Sequence, residues 1–423
     1  NDIRPSAIAA YAGRMWYAGV NAEGYSQNLY YSQIIVKGDE YGFCYQANDP
    51  TSEVANDLLA TDGGVISIPE IGTIIKLFTM QNNLVIFGTG GVWLISGSQG
   101  VGFNANDYSV TKISSTPSLS SLSFVDVYGT PLWWNTDGIY TLQADQISGE
   151  TAAKSLTDTT IRSYLDAIHP TQKKYVKGAF NKYNKTVQWL YRSENTADLE
   201  ETFQYDRILV LNTLNGSFFP WTLPSSNPTI NGIIVTRGPS SGTVTEAVVD
   251  SLGDPVLTLA DEAITVEAYT ALNPNYSFRY LVSDKTGAST FDTTWAQTIN
   301  ATYKDWGEDV TEIDYDSYFY TSYELDGDAQ RFFQSNYIVV YLDAVSDGSC
   351  FLEPWWEYTT SSSSARVGNP QQIYPTDSGF STLQKRLKLR GKGRSAQLKF
   401  TAESGKPFSI VGWSTWSTQN SGI

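Results

Sequence analysis

Residues 83–95 read NLVIFGTGGVWLI, and residues 130–142 read TPLWWNTDGIYTL. The two stretches are related by an offset of 47 residues, which continues upstream without a gap until Leu77 matches Phe124. Each copy reads as a strand, a turn, a second strand, a turn containing glycine, and a strand that opens with Gly, a β-branched residue and an aromatic residue. A repeat of ~40–50 residues with this content predicts the four-stranded blades of a β-propeller.

The composition of the whole chain favours sheet over helix. Of the 423 residues, 13% are aromatic and only 17% are charged. Aromatic and β-branched side chains suit the half-buried surface of a pleated sheet, and short apolar runs alternate here with Gly, Ser, Thr and Asn clusters. We therefore expect an all-β protein, a β-propeller with one or more additional β-sandwich or barrel-like domains.

The sequence pattern changes after Arg237, where Gly-Pro-Ser-Ser-Gly interrupts it. The 47-residue repeat does not recur after this point. We predict propeller blades in residues 1–236 and a following or inserted β-domain with an acidic segment in residues 237–345. Residues 346–423 should form a C-terminal β region with a basic strand, which returns either to the propeller or to a platform. The first residue is Asn rather than Met, so we expect that N-terminal sequence is missing. We also expect, from a family resemblance given below, that the propeller is incomplete at its N-terminal end.

One amphipathic helix is expected over Ser155–Ile168. Ser155 or Thr157 can cap it, apolar residues recur at spacings of three and four, and Pro170 ends it. The single histidine, His169, follows directly. No nucleophile or carboxylate motif is tied to His169, so we interpret it as an ordinary residue at a helix terminus rather than as a catalytic group.

The charge balance limits the kinds of partner. The chain has 28 basic and 44 acidic residues, a net charge of −16. A domain that holds nucleic acid by its phosphates is normally basic, which argues against an ordinary DNA-binding domain. A surface past which DNA slides without sticking is still compatible with this balance.

Cysteine usage and hydropathy give weaker indications. Cys44 and Cys350 allow one disulfide, but such sparse usage is typical of a reducing compartment, so we expect two buried free thiols. No apolar run reaches the ~18 residues that a membrane helix needs. The sequence also has no charged-then-apolar leader, and nothing in it indicates secretion.

Residues 305–328 form an acidic segment with nine acidic residues, no basic one, and Tyr and Phe between them. Calcium binding is one interpretation, because hard cations prefer carboxylate oxygens. The spacing fits no EF-hand loop, so we favour a solvated acidic face. The acidic residues are Asp305, Glu308, Asp309, Glu312, Asp314, Asp316, Glu324, Asp326 and Asp328.

Residues 385–406 contain eight basic residues against Glu403 alone. Five of them alternate with Leu or Gly, and a period of two predicts that all five lie on one face of a strand. Such a face binds either phosphate or a complementary acidic surface, within one chain or across a subunit boundary, and in an acidic chain we favour the second. The candidate subunit-contact or channel-lining residues are Asp305, Glu308, Asp309, Glu312, Asp314, Asp316, Arg386, Lys388, Arg390, Lys392 and Arg394.

The sequence carries no motif for catalysis or cofactor binding. A phosphate-binding glycine loop, a nucleophile elbow, zinc spacing and a dinucleotide fingerprint are all absent. Some propellers are glycosidases, which need paired carboxylates, and no such pair stands out. The pairs Trp133-Trp134 and Trp355-Trp356 could stack on sugar rings, but we favour packing in the core or in an interface. We therefore expect no catalytic residue, cofactor or metal, and a protein that is not an enzyme.

Several segments together resemble the tail tubular protein B, or tail nozzle (tail hub) protein, of short-tailed, podovirus-like bacteriophages. They cover much of residues 4–142 and the C-terminus, while the middle of the chain is similar only in texture. The matching segments are Arg4-Pro5, YAGRMWYAG (11–19), NLYYS (28–32), Leu84–Phe87 with Gly91–Ile95, Asp137–Tyr140, RGKGR (390–394) and Gly412-Trp413.

This resemblance implies a propeller fused to further β-domains, in a homohexameric ring below the tail adaptor ring protein. The ring would also meet tail fibre or other tail proteins, and double-stranded DNA would pass through its lumen during ejection. The protein would be assembled in the bacterial host cytoplasm and reside in the virion tail. An acidic lumen repels phosphates, and complementary charged segments give the directional contacts that a closed ring needs.

Two other functions fit the sequence. One is a carbohydrate-binding or glycan-cleaving β-propeller of a receptor-binding tail protein. The other is a cellular scaffold propeller that binds a peptide and forms no oligomer.

Overall fold

The computed structural model divides into two compact units, Asn1–Ala296 and Gln297–Ile423. The predicted boundaries after residues 236 and 345 stay a prediction. The structure describes residues 3–48, 50–51, 58–97, 102–144, 151–193, 205–222, 229–237, 244–247, 265–268, 276–283, 317–325, 331–345, 348–375 and 382–419.

Four antiparallel sheets of four strands follow one another in chain order in the first unit, and in each sheet the strands pair in sequence order. They are the sheets β1 (Ala7–Tyr11), β2 (Arg14–Ala18), β3 (Asn28–Tyr31), β4 (Gly64–Ser67); β5 (Ile74–Met80), β6 (Asn83–Gly88), β7 (Gly91–Gly97), β8 (Tyr108–Ser114); β9 (Val125–Val127), β10 (Thr130–Trp134), β11 (Ile139–Ala144), β12 (Thr151–Ser155); and β13 (Lys177–Asn181), β14 (Thr186–Tyr191), β15 (Arg207–Asn212), β16 (Phe218–Thr222).

Among its described residues, the first unit also contains two short α-helices and two strand pairs. The helices are α1 (Arg162–Asp166) and α2 (Pro170–Lys173). The strand pairs are β17 (Thr229–Arg237) with β20 (Tyr276–Ser283), and β18 (Val244–Ala247) with β19 (Thr265–Ala268).

The register of the strands confirms the 47-residue repeat. Ile86 of the second sheet lies opposite Trp93, and the equivalent Trp133 of the third sheet lies opposite Tyr140. Every pair that β10 makes with β9 or β11 repeats, at this offset, a pair that β6 makes with β5 or β7. The two segments are therefore the same blade built twice, as the sequence predicted.

Consecutive sheets pack face to face, so the second strand is buried on both sides in the second, third and fourth sheets. Alternate residues of a strand point to opposite faces. Leu84 and Ile86 pack with the first sheet, whereas Val85 and Phe87 pack against the third sheet. The opposite face of the third sheet, with Trp134, packs in turn against the fourth sheet. This succession of blades is propeller-like and confirms the predicted all-β fold.

The second unit is a β-sandwich, which confirms the predicted additional sandwich-like domain. One sheet has the order β21-β26-β23-β24 and the other has the order β25-β22-β27. Apolar residues from both sheets, among them Val340 and Phe400, form the core between them. The strands are β21 (Tyr318–Tyr320), β22 (Phe333–Asp343), β23 (Cys350–Trp356), β24 (Gln371–Ile373), β25 (Thr382–Lys388), β26 (Ala396–Ala402) and β27 (Ile410–Gln419).

A buried arginine joins the first sheet to the loop that precedes β4. Arg14 is 1% exposed, and its Nη1 donates to the carbonyls of Ser32 at 2.7 Å and Thr61 at 3.2 Å and also to that of Asp62. The guanidinium also lies 5.6 Å from the centre of the Tyr31 ring. Burial lowers the pKa of Arg14. The backbone carbonyls replace the water that this cation loses, so the loop depends on Arg14.

The helix predicted over Ser155–Ile168 is wrong in its extent. Ser155 instead pairs with Tyr140 in the third sheet, and the Thr157 hydroxyl accepts the Ile139 N–H at 3.1 Å. These bonds hold the first residues in the sheet, so the helix starts only at Arg162. His169 caps α2, because its Nδ1 accepts the Thr171 N–H at 3.2 Å.

Both cysteines are free thiols. Cys350 is buried as predicted, whereas Cys44 is only half-buried. Burial raises the pKa of Cys350 to about 12 and that of Cys44 to about 11. Both thiols therefore stay protonated at neutral pH, which makes them poor nucleophiles. Among the described residues, no helix is long and apolar enough to cross a membrane.

Replacing Arg14 by Met should lower the free energy of unfolding of the first unit by about 2–4 kcal/mol, because several buried carbonyls lose their donor. The control is Arg162→Met, which removes a 56% exposed side chain with two surface ion pairs and should cost less than about 1 kcal/mol. Urea unfolding followed by tryptophan fluorescence measures both. Equal effects of the two substitutions would show that Arg14 does not hold the loop.

Cys350 should make the second unit sensitive to alkali. Its pKa is raised from 9.0 to about 12 in the folded chain, so stability is complete below pH 9 and falls as the pH rises toward 12. The loss from this thiol between pH 9 and pH 10 is about 1 kcal/mol. Urea midpoints at these two pH values should fall less steeply for Cys350→Val than for the wild type. Identical slopes would contradict the prediction.

Candidate interaction face of the sandwich

The basic strand lies on the outward face of the sheet β25-β22-β27. Leu383 and Leu387 of β25 point into the sandwich core, whereas Arg386 and Lys388 are exposed. On the outward face Lys388 lies opposite Tyr337 of β22, and Tyr337 lies opposite Trp416 of β27. We call Tyr337, Arg386, Lys388, Arg390 and Trp416 the basic–aromatic face.

Arg386 is stacked on this face. Its guanidinium carbon lies 3.9 Å from the centre of the Tyr337 ring and 6.0 Å from that of Trp416. The Trp416 side chain is 60% exposed. A cation over an aromatic ring is held by the ring quadrupole. Arg386 is therefore oriented while its edge remains open to solvent, next to a flat exposed indole.

The prediction that five alternating cations lie on one face of a strand holds for Arg386 and Lys388. It is wrong for the three cations that follow. The strand β25 ends at Lys388, so Arg390, Lys392 and Arg394 lie in the loop before β26. All five cations are exposed. The strand ends because of a tertiary contact, which the alternating sequence does not reveal.

Two residues end the strand. The indole N–H of Trp356 donates to the Arg390 carbonyl at 3.2 Å and turns it away from the sheet. Gly391 then adopts a φ of +125°, and a Cβ at this position would lie 2.2 Å from Trp356 Nε1. Only glycine fits there. After this turn Arg394 lies over the Phe332 ring, 4.9 Å from its centre.

A cleft of about 180 Å³ lies at the edge of the face. The Gln371 amide group donates from Nε2 to the Lys388 carbonyl at 2.7 Å, which fixes one wall. The cleft combines two cations with two side-chain amides, so it suits an anionic group. Its lining residues are Pro354, Gly368, Asn369, Gln371, Lys388 and Arg390.

The cations of this face have no acidic partner in the part of the chain that the structure describes. The ion pairs there in the sandwich are Arg366 with Glu357 at 3.7 Å and Lys399 with Glu353 at 3.8 Å. Neither involves Arg386, Lys388, Arg390 or Lys392. On the other sheet, by contrast, Lys399 is already neutralised by Glu353 and enclosed by aromatic rings.

The predicted acidic candidates Asp305, Glu308, Asp309, Glu312, Asp314 and Asp316 lie outside the described residues, so their pairing with the basic strand stays a prediction, as does the calcium alternative. Of the acidic segment, Glu324 is described; it is exposed, and its backbone pairs with Ala396. Among the described residues, no three His, Cys, Asp or Glu side chains come together in a metal-binding arrangement.

The two tryptophan pairs that were candidates for stacking on sugar rings are buried. Trp133 and Trp134 are 0% exposed, and Trp355 and Trp356 are 4% and 2% exposed. The prediction that they pack in the core is confirmed. Sequence reasoning missed Trp416, the exposed tryptophan of this face. The stretch Ile410–Gln419 could have revealed it, because it has no charged residue and, as a strand, places Trp413 and Trp416 on opposite faces.

No family model matches the chain, and no curated protein matches it either. Solved structures that are similar include an exo-β-1,3-galactanase from Phanerochaete chrysosporium, with 9% identity over 98% of this chain and 96% of that one and a TM-score of 0.27. A structure titled glycoside hydrolase has 11% identity over 98% of both chains and a TM-score of 0.26. A lignostilbene dioxygenase from Pseudomonas brassicacearum has 9% identity over 67% of this chain and 70% of that one, with a TM-score of 0.27.

These matches contradict the expectation that the chain is not an enzyme, because their titles name a galactanase, a glycoside hydrolase and a dioxygenase. That expectation is withdrawn. None of these three titles names a tail protein. TM-scores this far below 0.5 assign no reaction and no site to this chain.

Replacing Gly391 by Ala should destabilise the sandwich by at least about 2 kcal/mol, through backbone strain and the clash with Trp356. Gly412→Ala is the matched control, because no atom lies within 4 Å of a Cβ at that position; it should change stability by less than about 0.5 kcal/mol. Urea unfolding of the two variants compares them. A harmless Gly391→Ala would mean that the strand end is not fixed by this contact.

Proposed function

We propose that the chain is a structural component of a short-tailed phage tail, which forms a homohexameric ring of the distal tail tube or nozzle through which the genome is ejected. Its partners would be further copies of itself, the tail adaptor ring protein and tail fibre or other tail proteins, with duplex DNA passing transiently. It would reside in the virion tail after assembly in the host cytoplasm.

The observation that carries this proposal is the position of the segment Tyr11–Gly19, which is central to the resemblance. The Tyr11 hydroxyl donates to the Asn82 carbonyl at 2.8 Å and so ties the first blade to the second. Trp16 is fully buried and donates to the Tyr11 carbonyl at 3.1 Å. Residues that resemble the nozzle family thus build the joint between blades, which supports a shared fold and, through it, the shared role.

Electrostatics support the same role. A net charge of −16 repels a phosphate backbone, so DNA can pass without the affinity that counterion release would give. The exposed cations of the basic–aromatic face give the chain a local surface of the opposite sign. A head-to-tail ring needs two different and complementary surfaces on each subunit.

A second candidate is a carbohydrate-binding or glycan-cleaving propeller of a receptor-binding tail protein. The observation that favours it is the exposed Trp416 beside Tyr337 and Arg386, because an exposed indole can stack on a sugar ring. The galactanase and glycoside hydrolase titles are in line with this candidate.

The purified full chain should have about six times the mass of one copy in light scattering, and negative-stain images should show rings with a central hole. Glycan-array binding and assays for released sugar on the same sample test the second candidate. A particle of one to three copies that binds or cleaves a glycan would replace the first proposal by the second.

A further inference from the structure

We propose that the cleft between Lys388 and Arg390 receives a carboxylate side chain from a second copy of this chain, with Arg386, Tyr337 and Trp416 packing around that contact. This inference rests on the proposed ring and assigns the basic strand to the contact between subunits rather than to the channel wall.

The two cations of the cleft project from fixed backbone. Gln371 binds the Lys388 carbonyl, and Trp356 binds the Arg390 carbonyl. Gly391 packs against the same indole, so the chain between them cannot shift easily. Fixing the backbone in advance leaves less conformational entropy to lose when a ligand binds. Lys388 and Arg390 therefore line the cleft from backbone that two hydrogen bonds fix.

The size and chemistry of the cleft favour a single carboxylate. Its volume of about 180 Å³ is smaller than the ~300–1,000 Å³ of typical small-molecule sites. A carboxylate has two oxygens, which can accept from the Arg390 fork and from the Lys388 ammonium at once. The amides of Asn369 and Gln371 also line the cleft. One Asp or Glu side chain can accept hydrogen bonds from these groups and needs no larger cavity.

A second copy is the occupant that the charges favour. The chain has 44 acidic residues against 28 basic ones, and nine acidic residues lie between positions 305 and 328. Every copy therefore carries more acidic than basic side chains. A long polyanion, either nucleic acid or acidic glycan, would meet repulsion from the rest of a chain with a net charge of −16.

The residues around the cleft have the composition of a protein contact. Trp, Tyr and Arg dominate the energetics of protein interfaces, in settings where an aromatic centre is surrounded by polar groups. Here the exposed Trp416, the stacked pair Tyr337 and Arg386, and Lys388 lie on adjoining strands. Arg390 follows in the loop after β25. Complementary charge at the edge of such a patch fixes its orientation.

The first test is the double variant Lys388→Glu with Arg390→Glu in the full chain. We expect its light-scattering mass to fall from that of the ring to that of one copy. The control is Lys154→Glu with Lys174→Glu, two exposed lysines of the first unit with the same change in charge; it should keep the ring. Unchanged near-ultraviolet circular dichroism would show that both variants are folded.

The second test locates the partner group directly. Unlabelled and ¹⁵N-labelled chains are mixed and treated with a carbodiimide. The reagent couples a lysine amine to a carboxylate in contact with it, which forms an amide, and the water eliminated converts the carbodiimide to a urea. Mass spectrometry should find Lys388 joined to Asp or Glu of a chain with the other label. The yield should fall at 1 M salt, because screening weakens exposed ion pairs.

The outcomes separate this inference from the proposed function. If the double variant keeps the ring and Lys388 forms no cross-link between copies, the inference is overturned while the ring stands. A wild type that stays a single copy at all concentrations overturns both. Binding of an acidic glycan that the double variant alone loses, with the ring intact, would also overturn the inference and assign the cleft to that ligand.

Discussion

Burial of the middle strands on both faces is the constraint on which the rest of the first unit depends. In β6 the side chains alternate between two different cores, one shared with the preceding sheet and one with the following sheet. A single blade of this kind would expose one apolar face, so each blade needs its neighbours. Close approach follows from this packing. At Gly178 of the fourth sheet, an added Cβ would lie 2.4 Å from Val125 of the third.

Cations within this apolar stack are bound by backbone carbonyls. Arg14 holds the loop before β4, Lys173 donates to the Thr136 carbonyl, and Lys177 donates to the Asn231 carbonyl at 2.7 Å. Burial lowers the pKa of all three side chains. A carbonyl is a weaker partner than a carboxylate but is supplied by the neighbouring backbone. The three cations therefore join segments of the chain through backbone carbonyls rather than through ion pairs.

The sequence predicted what local pattern and repetition determine, and failed where distant residues decide. The 47-residue offset predicted that the second and third sheets share their strand pairing, because equivalent residues meet equivalent neighbours. Alternation predicted which face of β25 is basic. It could not predict where β25 ends, because Trp356 and Gly391 stop it through a contact between residues far apart in sequence. The cleft itself was also invisible, since it joins Asn369 to Arg390 only in the folded chain.

The sandwich uses cation–aromatic contacts on both of its sheets, and the difference between them indicates which serves a partner. On one sheet Lys399 has rings of Tyr318, Tyr320 and Trp355 within 5.9 Å and a carboxylate at 3.8 Å. Its charge is satisfied internally, as expected of a group that only stabilises the fold. On the other sheet Arg386 has the rings but no carboxylate among the described residues, and Trp416 beside it is exposed. Among the described residues these cations therefore have no acidic partner, and they are the groups that the proposed contact between copies would use.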